Sequence, residues 1–287
     1  MKIIILAENY SPFALGIKAE HGFSVFIEKD GRLFLYDTGQ FGLCVDNARN
    51  LQCDLTKIET IILSHGHIDH TGGLATVLQA IGRKVTVTGH ELIFEKKYVV
   101  RDNNTEIFGR RDVYIGIPFQ REYLEKYLRA RFNLRNDFTD IAPGIWLTGE
   151  VPFSNNFEKI PEAFCVERNG LFVKDDFADD NSLVIDTESG LVVILGCAHR
   201  GMVNILTYAK KILKKRIRAV IGGTHLHDAD IGQINAVTDF LRDFFKDEQT
   251  ELFAPAHCTG FATIASLARD FKEITKPAFC GTVFEFK

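Results

Sequence analysis

No two of the six cysteines, Cys44, Cys53, Cys165, Cys197, Cys258 and Cys280, form a C-x-x-C pair in this 287-residue chain. Without paired cysteines or a secretory leader, a chain this long is expected to keep free, buried thiols in a reducing cytoplasm rather than disulfides. Cys197 and Cys258 stand close to histidines in the sequence, which would place either near a metal, but each is read first as a small buried hydrophobe. No apolar run approaches the roughly 18 residues that cross a bilayer. The N-terminal stretch Met1–Glu8 has a short apolar run that stops at Glu8, so it reads as a first strand and not as a leader. Positive charge is not in excess: 34 Lys and Arg face 38 Asp and Glu, a net charge of -4, which argues against a nucleic-acid or membrane surface. Hydrophobic residues make up 46% of the chain, enough for a large multi-layer globular domain.

What is present is concentrated. The run Ser64-His65-Gly66-His67-Ile68-Asp69-His70 places three histidines and an aspartate within six residues, directly after the apolar Thr60-Ile61-Ile62-Leu63. Imidazole nitrogen and carboxylate oxygen are ligands of zinc and similar divalent ions. A tight turn at a strand end can aim several such groups into one small volume, with Gly66 relieving the backbone. A polar loop after a buried strand would leave this clustering unexplained.

Around it the chain repeats itself. Phe23–Glu28 and Arg32–Asp37 flank the turn Lys29-Asp30-Gly31, and Ser182–Asp186 and Leu191–Leu195 flank Thr187-Glu188-Ser189-Gly190. Both read as β-hairpins. Each second strand ends in a glycine-containing polar turn, Asp37-Thr38-Gly39 or Gly196-Cys197-Ala198-His199. A helix follows each turn, over about 42–51 and 201–214, and then a short apolar strand, Ile58–Leu63 or Ile217–Ile221. The histidine turn follows the first of these strands, and Gly222-Gly223-Thr224-His225-Leu226-His227-Asp228 follows the second. Strands ending at His90 and His257 complete the parallel. The pattern predicts an internal duplication whose two sheets stack face to face with helices outside. Metal ligands at strand ends would then meet along one edge.

Residues 95–141 interrupt the scheme and are read as an inserted cap in a single domain spanning 1–287. Ten Lys and Arg face five Asp and Glu between Lys96 and Arg135, with aromatics interleaved, so the cap is expected to touch substrate as well as pack on the body.

The H-x-H-x-D-H turn, the Asp37-Thr38-Gly39 strand end and the later isolated histidines resemble the metallo-β-lactamase superfamily. The resemblance covers nearly the whole chain and implies an α/β fold, a four-layer αββα sandwich of two similar halves. Ala19–Ser24, Leu35–Gly39, Gly196–His199, Ile221–Leu226 and Pro255–Gly260 are similar to the branch named for a dihydropterin–ribofuranosylaminobenzene phosphate synthase of methanopterin biosynthesis. Many branch members are described only as metal-dependent hydrolases.

Carried over residue by residue, the resemblance implies two divalent metal ions, expected to be zinc, with manganese, iron and magnesium as alternatives. His65, His67 and His199 would hold one, and Asp69, His70 and His257 the other, with Asp37 orienting the histidine turn. The bridging aspartate of the superfamily is expected at the strand end after His199, where this chain has Gly222-Gly223-Thr224-His225. His225 is the expected substitute, ahead of Asp228 and Asp230. A neutral imidazole cannot bridge two metals as a carboxylate does, which puts a standard two-metal mechanism in question. His227 is expected in a supporting or surface role and His90 near the cleft, neither binding metal, and His21 in a structural or substrate-facing role.

The expected activity is hydrolysis of a small anionic or phosphorylated molecule by a metal-activated water, with Asp69 able to accept a proton and Asp37 supporting the site. The helix start at His199-Arg200-Gly201 suits an anion. Lys18, Arg110 and Arg111 are further anion candidates. A transferase joining a dihydropterin diphosphate to ribofuranosylaminobenzene phosphate is the alternative, and a non-catalytic metal sensor is a third reading.

Overall fold

The computed structural model describes residues 1–12, 16–101 and 111–287. Its first half runs β1 (Lys2–Ala7), β2 (Ser24–Lys29), β3 (Arg32–Tyr36), α1 (Leu43–Asn50), β4 (Thr60–Ile62), the single turn α2 (Ile68–Thr71), α3 (Leu74–Ile81) and β5 (Val85–Gly89). Between the halves lie β6 (Lys97–Val100), β7 (Asp112–Tyr114), α4 (Arg121–Leu128), β8 (Ala130–Leu134), β9 (Thr139–Ala142), β10 (Ile145–Leu147), β11 (Phe164–Arg168) and β12 (Leu171–Lys174). The second half runs β13 (Leu183–Thr187), β14 (Gly190–Leu195), α5 (Met202–Leu213), β15 (Ile217–Gly223), α6 (Ile231–Glu248), β16 (Leu252–Ala256), α7 (Phe261–Asp270) and β17 (Val283–Glu285).

The duplication is visible in the strand pairing. In the first half β2 pairs antiparallel with β3, β3 parallel with β4, and β4 parallel with β5. In the second half β13, β14, β15 and β16 repeat that order and those directions. The seven-stranded sheet runs β17-β1-β2-β3-β4-β5-β8, and the six-stranded sheet β16-β15-β14-β13-β10-β9.

Side-chain alternation sorts the layers. Ile3, Ile5, Val25 and Ile27 share one core with Leu183, Ile185, Val192 and Ile194, so the two sheets face each other. Ile4, Leu6 and Leu35 face outward against Cys44, Ala48, Leu74 and Val77 of α1 and α3. Val193, Leu195 and Val220 face outward against Ile205, Leu206, Val237 and Leu241 of α5 and α6. The result is the αββα sandwich. Each fully buried aliphatic side chain contributes about 1.5–3 kcal/mol, so the two sheets are committed to one register by many such positions.

Residues 95–141 do not form one inserted cap. β8 extends the first sheet parallel to β5, and β9 extends the second antiparallel to β10. Phe119 and Phe132 pack on the core beneath the first sheet, which draws this part of the segment into the body. Among the described residues of the segment β6 and β7 leave it, and they pair with β11 and β12 in a four-stranded sheet, order β12-β11-β6-β7. Among the described residues no helix is long and apolar enough to cross a membrane.

Candidate metal centre

The short strand β4 delivers Ser64 to a buried carboxylate. Asp37 follows β3 in a left-handed conformation, φ 57°, which aspartate tolerates better than most residues. Its Oδ1 accepts the Ser64 backbone N–H at 2.7 Å, and its Oδ2 accepts the Ser64 hydroxyl at 2.7 Å. Oδ2 also meets His70 Nδ1 at 2.7 Å, with both side chains fully buried. The Ser64 hydroxyl gives its proton to Asp37, so it accepts from His65 Nδ1 at 2.9 Å. His257 Nδ1 meets Asn9 Oδ1 at 3.0 Å. Each of these three imidazoles is thus a donor at Nδ1 and carries its lone pair on Nε2.

Those lone pairs converge. His70 Nε2 lies 3.1 Å from Cys197 Sγ and 3.2 Å from His257 Nε2. Asp69 Oδ2 lies 3.1 Å from His257 Nε2 and 3.6 Å from His70 Nε2. Donors about 2.0–2.3 Å from a tetrahedral ion stand roughly 3.3–3.8 Å from one another, so these four atoms outline one cation position. Beside it, the donor atoms of His65, Cys197 and His199 all lie within 4.8 Å of one another. The His67 ring is 4.6 Å from that of His65 and 4.8 Å from that of His199, centre to centre. Nε2 of His65, His67 and His199 is buried without a hydrogen-bond partner. Orphaned buried polar atoms are costly, and a cation would satisfy all three.

Electrostatics agree with this chemistry. Burial pushes His65, His67 and His199 well below the ordinary imidazole range, with neighbouring histidines or Lys97 adding to it, which leaves them neutral and able to ligate. Burial also lowers His257 to about 4, against the pull of Asp69. For His70, burial is outweighed by Asp69 and Asp37, which lift it to about 9. A proton there stands where a metal's positive charge would sit, between an acceptor ring and a carboxylate.

Local sequence explains the convergence. A side chain on Gly196 would strike Ser64, its Cβ falling 2.4 Å from the hydroxyl, so glycine lets the end of β14 press against the histidine turn. Gly66 is held from the other side, its N–H donating to Asp179 Oδ2 at 2.8 Å.

The site departs from the sequence expectation at its centre. Cys197, read as a plain buried hydrophobe, is the member common to both donor sets. It lies two residues past the end of β14 and two residues before His199, and that position was the available signal. His225 is outside both sets: its ring, at φ 49°, lies 4.2 Å from the His199 ring and borders the cleft. Burial lowers His225 to about 4. Asp228 is exposed against His227, and Asp230 caps α6, so neither takes the bridging place. His21 meets Asp69 at 3.4 Å from the solvent side, while His90 accepts from its own loop at Leu92.

The anion candidates lie elsewhere. The first N–H groups of α5 already have an anion, because Glu158 accepts from Val203 and Asn204 at 2.8 and 2.9 Å. A side chain on Gly201 would collide with that carboxylate. The Arg200 guanidinium lies over Phe153 and reaches the Asp176 carbonyl oxygen and Glu150. Lys18 pairs with Asp46 beside α1. Arg111 does not line the cleft, and Arg110 lies outside the described residues.

The cleft over the centre holds about 630 Å³. Tyr10 and Phe261 form one wall, Tyr114 and Phe164 of the small sheet another, and among the described residues its lining includes no lysine or arginine.

An αββα sandwich with paired donor sets at one edge defines the class. The profile of the metallo-beta-lactamase superfamily matches residues 17–152, and the chain belongs to that superfamily. The 7,8-dihydropterin-6-methyl-4-(beta-D-ribofuranosyl)-aminobenzene-5'-phosphate synthase of Methanocaldococcus jannaschii is 31% identical, over 100% of this chain and 97% of its own. Tm1679, a metal-dependent hydrolase of the beta-lactamase superfamily, is also 31% identical, with TM-score 0.81 over 100% of this chain and 99% of its own. PqqB from Methylobacterium extorquens shares the fold alone, at 12% identity and TM-score 0.57 over the full length of both chains.

Proposed function

We propose that the chain is a metal-dependent hydrolase with two divalent ions, acting on a small molecule that joins a flat apolar part to a phosphate or other oxyanion. The carrying observation is the convergence of the imidazoles of His65, His67, His70, His199 and His257 with Asp69 and Cys197 beneath a cleft that has aromatic walls and, among the described residues, no lysine or arginine. When bound, such ions polarise an oxyanion and lower the pKa of water to near neutral. Imidazole with thiolate suits zinc or iron better than magnesium. His65, His67 and His199 would hold one ion, and Asp69, His70 and His257 the other. Asp37 keeps His70 and His65 in the ligating tautomer through Ser64, and Asp69 can take up a proton when the second ion is absent. Tyr10, Phe164, Tyr114 and Phe261 hold the flat part and narrow the approach of bulk water. His225 and His227 line the same cleft and are placed to orient substrate. The six unpaired cysteines suit a cytoplasmic location.

A second reading, transfer of a dihydropterin from its diphosphate onto ribofuranosylaminobenzene phosphate, is supported by the aromatic walls and by full-length similarity to the M. jannaschii synthase. Both readings are tested by incubating the pure protein with the dihydropterin diphosphate, with and without the arene, in zinc, manganese, iron or magnesium. Pyrophosphate release that needs the arene selects transfer. Release without it, or turnover of simple phosphate esters, selects hydrolysis. No release in any metal and no ester turnover would sink both.

A further inference from the structure

We propose that the Cys197 sulfur, as thiolate, is the ligand shared by the two ions. It would stand in the bridging place that the superfamily's aspartate was expected to fill. The inference rests on the dinuclear reading above and adds the identity of the bridge.

Four observations carry it. Cys197 alone belongs to both donor sets, {Asp69, His70, Cys197, His257} and {His65, Cys197, His199}. Its Sγ is 3.1 Å from His70 Nε2, a little closer than two donors of one ion stand and within reach of that arrangement. On its other side, Nε2 of His65 and His199 is buried and lacks a partner, with His65 fully buried and His199 6% exposed. The remaining candidate, His225, is a neutral imidazole with one available lone pair, its ring lies 4.2 Å from that of His199, and it is outside both sets.

Charge points the same way. The five histidines are neutral ligands, so Asp69 is the only other anion among the donors. A protein that holds two dications needs further negative charge between them, and a thiolate sulfur has enough lone pairs to serve both. The thiol proton leaves to solvent as the ions bind, because ligating cysteine is deprotonated. The neighbouring Cys258 is not part of either set. Its Sγ instead meets the Cys197 carbonyl oxygen at 3.5 Å and the His225 N–H at 3.3 Å, which holds the two strand ends together.

The test is zinc-edge X-ray absorption on the wild-type protein loaded with zinc, alongside metal analysis. A bridging Cys197 gives two equivalents of zinc and one sulfur neighbour per zinc, since both ions see the same atom. A terminal cysteine gives half a sulfur per zinc. Cys258→Ala should leave the sulfur count unchanged, and Cys197→Asp should retain two equivalents with no sulfur signal. Two equivalents with half a sulfur or none in the wild type overturns the bridge and leaves the dinuclear reading standing. So does a sulfur count that falls in Cys258→Ala. Saturation at one equivalent of bound metal or less overturns the dinuclear reading itself, and the bridge with it.

Discussion

Asp37 receives three donors on two oxygens: the Ser64 N–H, the Ser64 hydroxyl and His70 Nδ1. Asparagine tolerates the same left-handed backbone, so Asp37→Asn isolates the chemistry from the turn. The amide offers one acceptor and one donor group in place of two acceptors. Either His70 must become an acceptor at Nδ1, or the Ser64 hydroxyl must turn and donate to His65. In both cases one Nε2 gains a proton and stops being a ligand. Asp37→Asn is expected to weaken metal binding by about 10–100-fold and stability by roughly 1–3 kcal/mol. Competitive metal titration and urea unfolding check the two effects, and an unchanged affinity would remove Asp37 from its orienting role. The orienting carboxylate was legible because it ends a strand in a motif with a known partner turn. The role of Cys197 was not, because a buried cysteine is usually inert packing. Only the three-dimensional meeting of β14 with the histidine turn separates the two roles.

At the scale of elements, the small sheet is tied to the metal turn by one buried cation. Lys97 in β6 meets Asp175 at 2.6 Å and Asp179 at 2.9 Å, all three side chains buried, and Asp179 holds Gly66. The same ammonium lies 4.8 Å over the Phe177 ring, which stacks on His199 at 3.9 Å. Lys97→Met would leave two buried carboxylates without a cationic partner, at a cost of roughly 3–5 kcal/mol. Urea unfolding is the measurement, and a loss under 1 kcal/mol would show that the carboxylates can shed their charge freely. The helix start at α5 gives a second prediction. Glu158→Ala removes the acceptor of two buried N–H groups and should cost about 1–3 kcal/mol. Inhibition by inorganic phosphate should stay as in the wild type, because this helix start does not face the cleft; a changed inhibition constant would return it to the substrate path. The paired β-β-α-β-α-β units could be read in advance because hairpins, glycine turns and apolar strands are local signals. The four-stranded sheet could not. Its pairing joins Tyr98 to Cys165 across many residues, and β12 is exposed along its whole length, so no periodic pattern marks it. Lys97 consequently looked like one more charge on a basic surface.

For the whole molecule, the decisive fact is that the donors come from both halves. His65, His67, Asp69 and His70 follow β4 of the first sheet, while Cys197, His199 and His257 follow β14 and β16 of the second. The sheets are held together elsewhere by apolar packing, but along this edge the contact is a set of electron-rich atoms facing one another. Without a cation, the Nε2 atoms of His70 and His257 and the Asp69 carboxylate need a shared proton to coexist, and Nε2 of three further imidazoles, His65, His67 and His199, has no partner. Metal binding should therefore act as a clamp between halves. An ion present at 100 times its Kd adds about 2.7 kcal/mol to stability if it binds only the folded chain. Removing metal with a chelator should lower the unfolding temperature, and returning zinc should restore it. Hydrogen exchange should locate the effect: amides of His65–Thr71, Cys197–Gly201 and His257–Gly260 should exchange faster after chelation. Amides within α3 and α6, on the outer layers, should keep their protection. Faster exchange spread evenly over the chain would mean that the ions stabilise the fold without joining its halves. No change on chelation would mean that the donor-rich edge closes without metal.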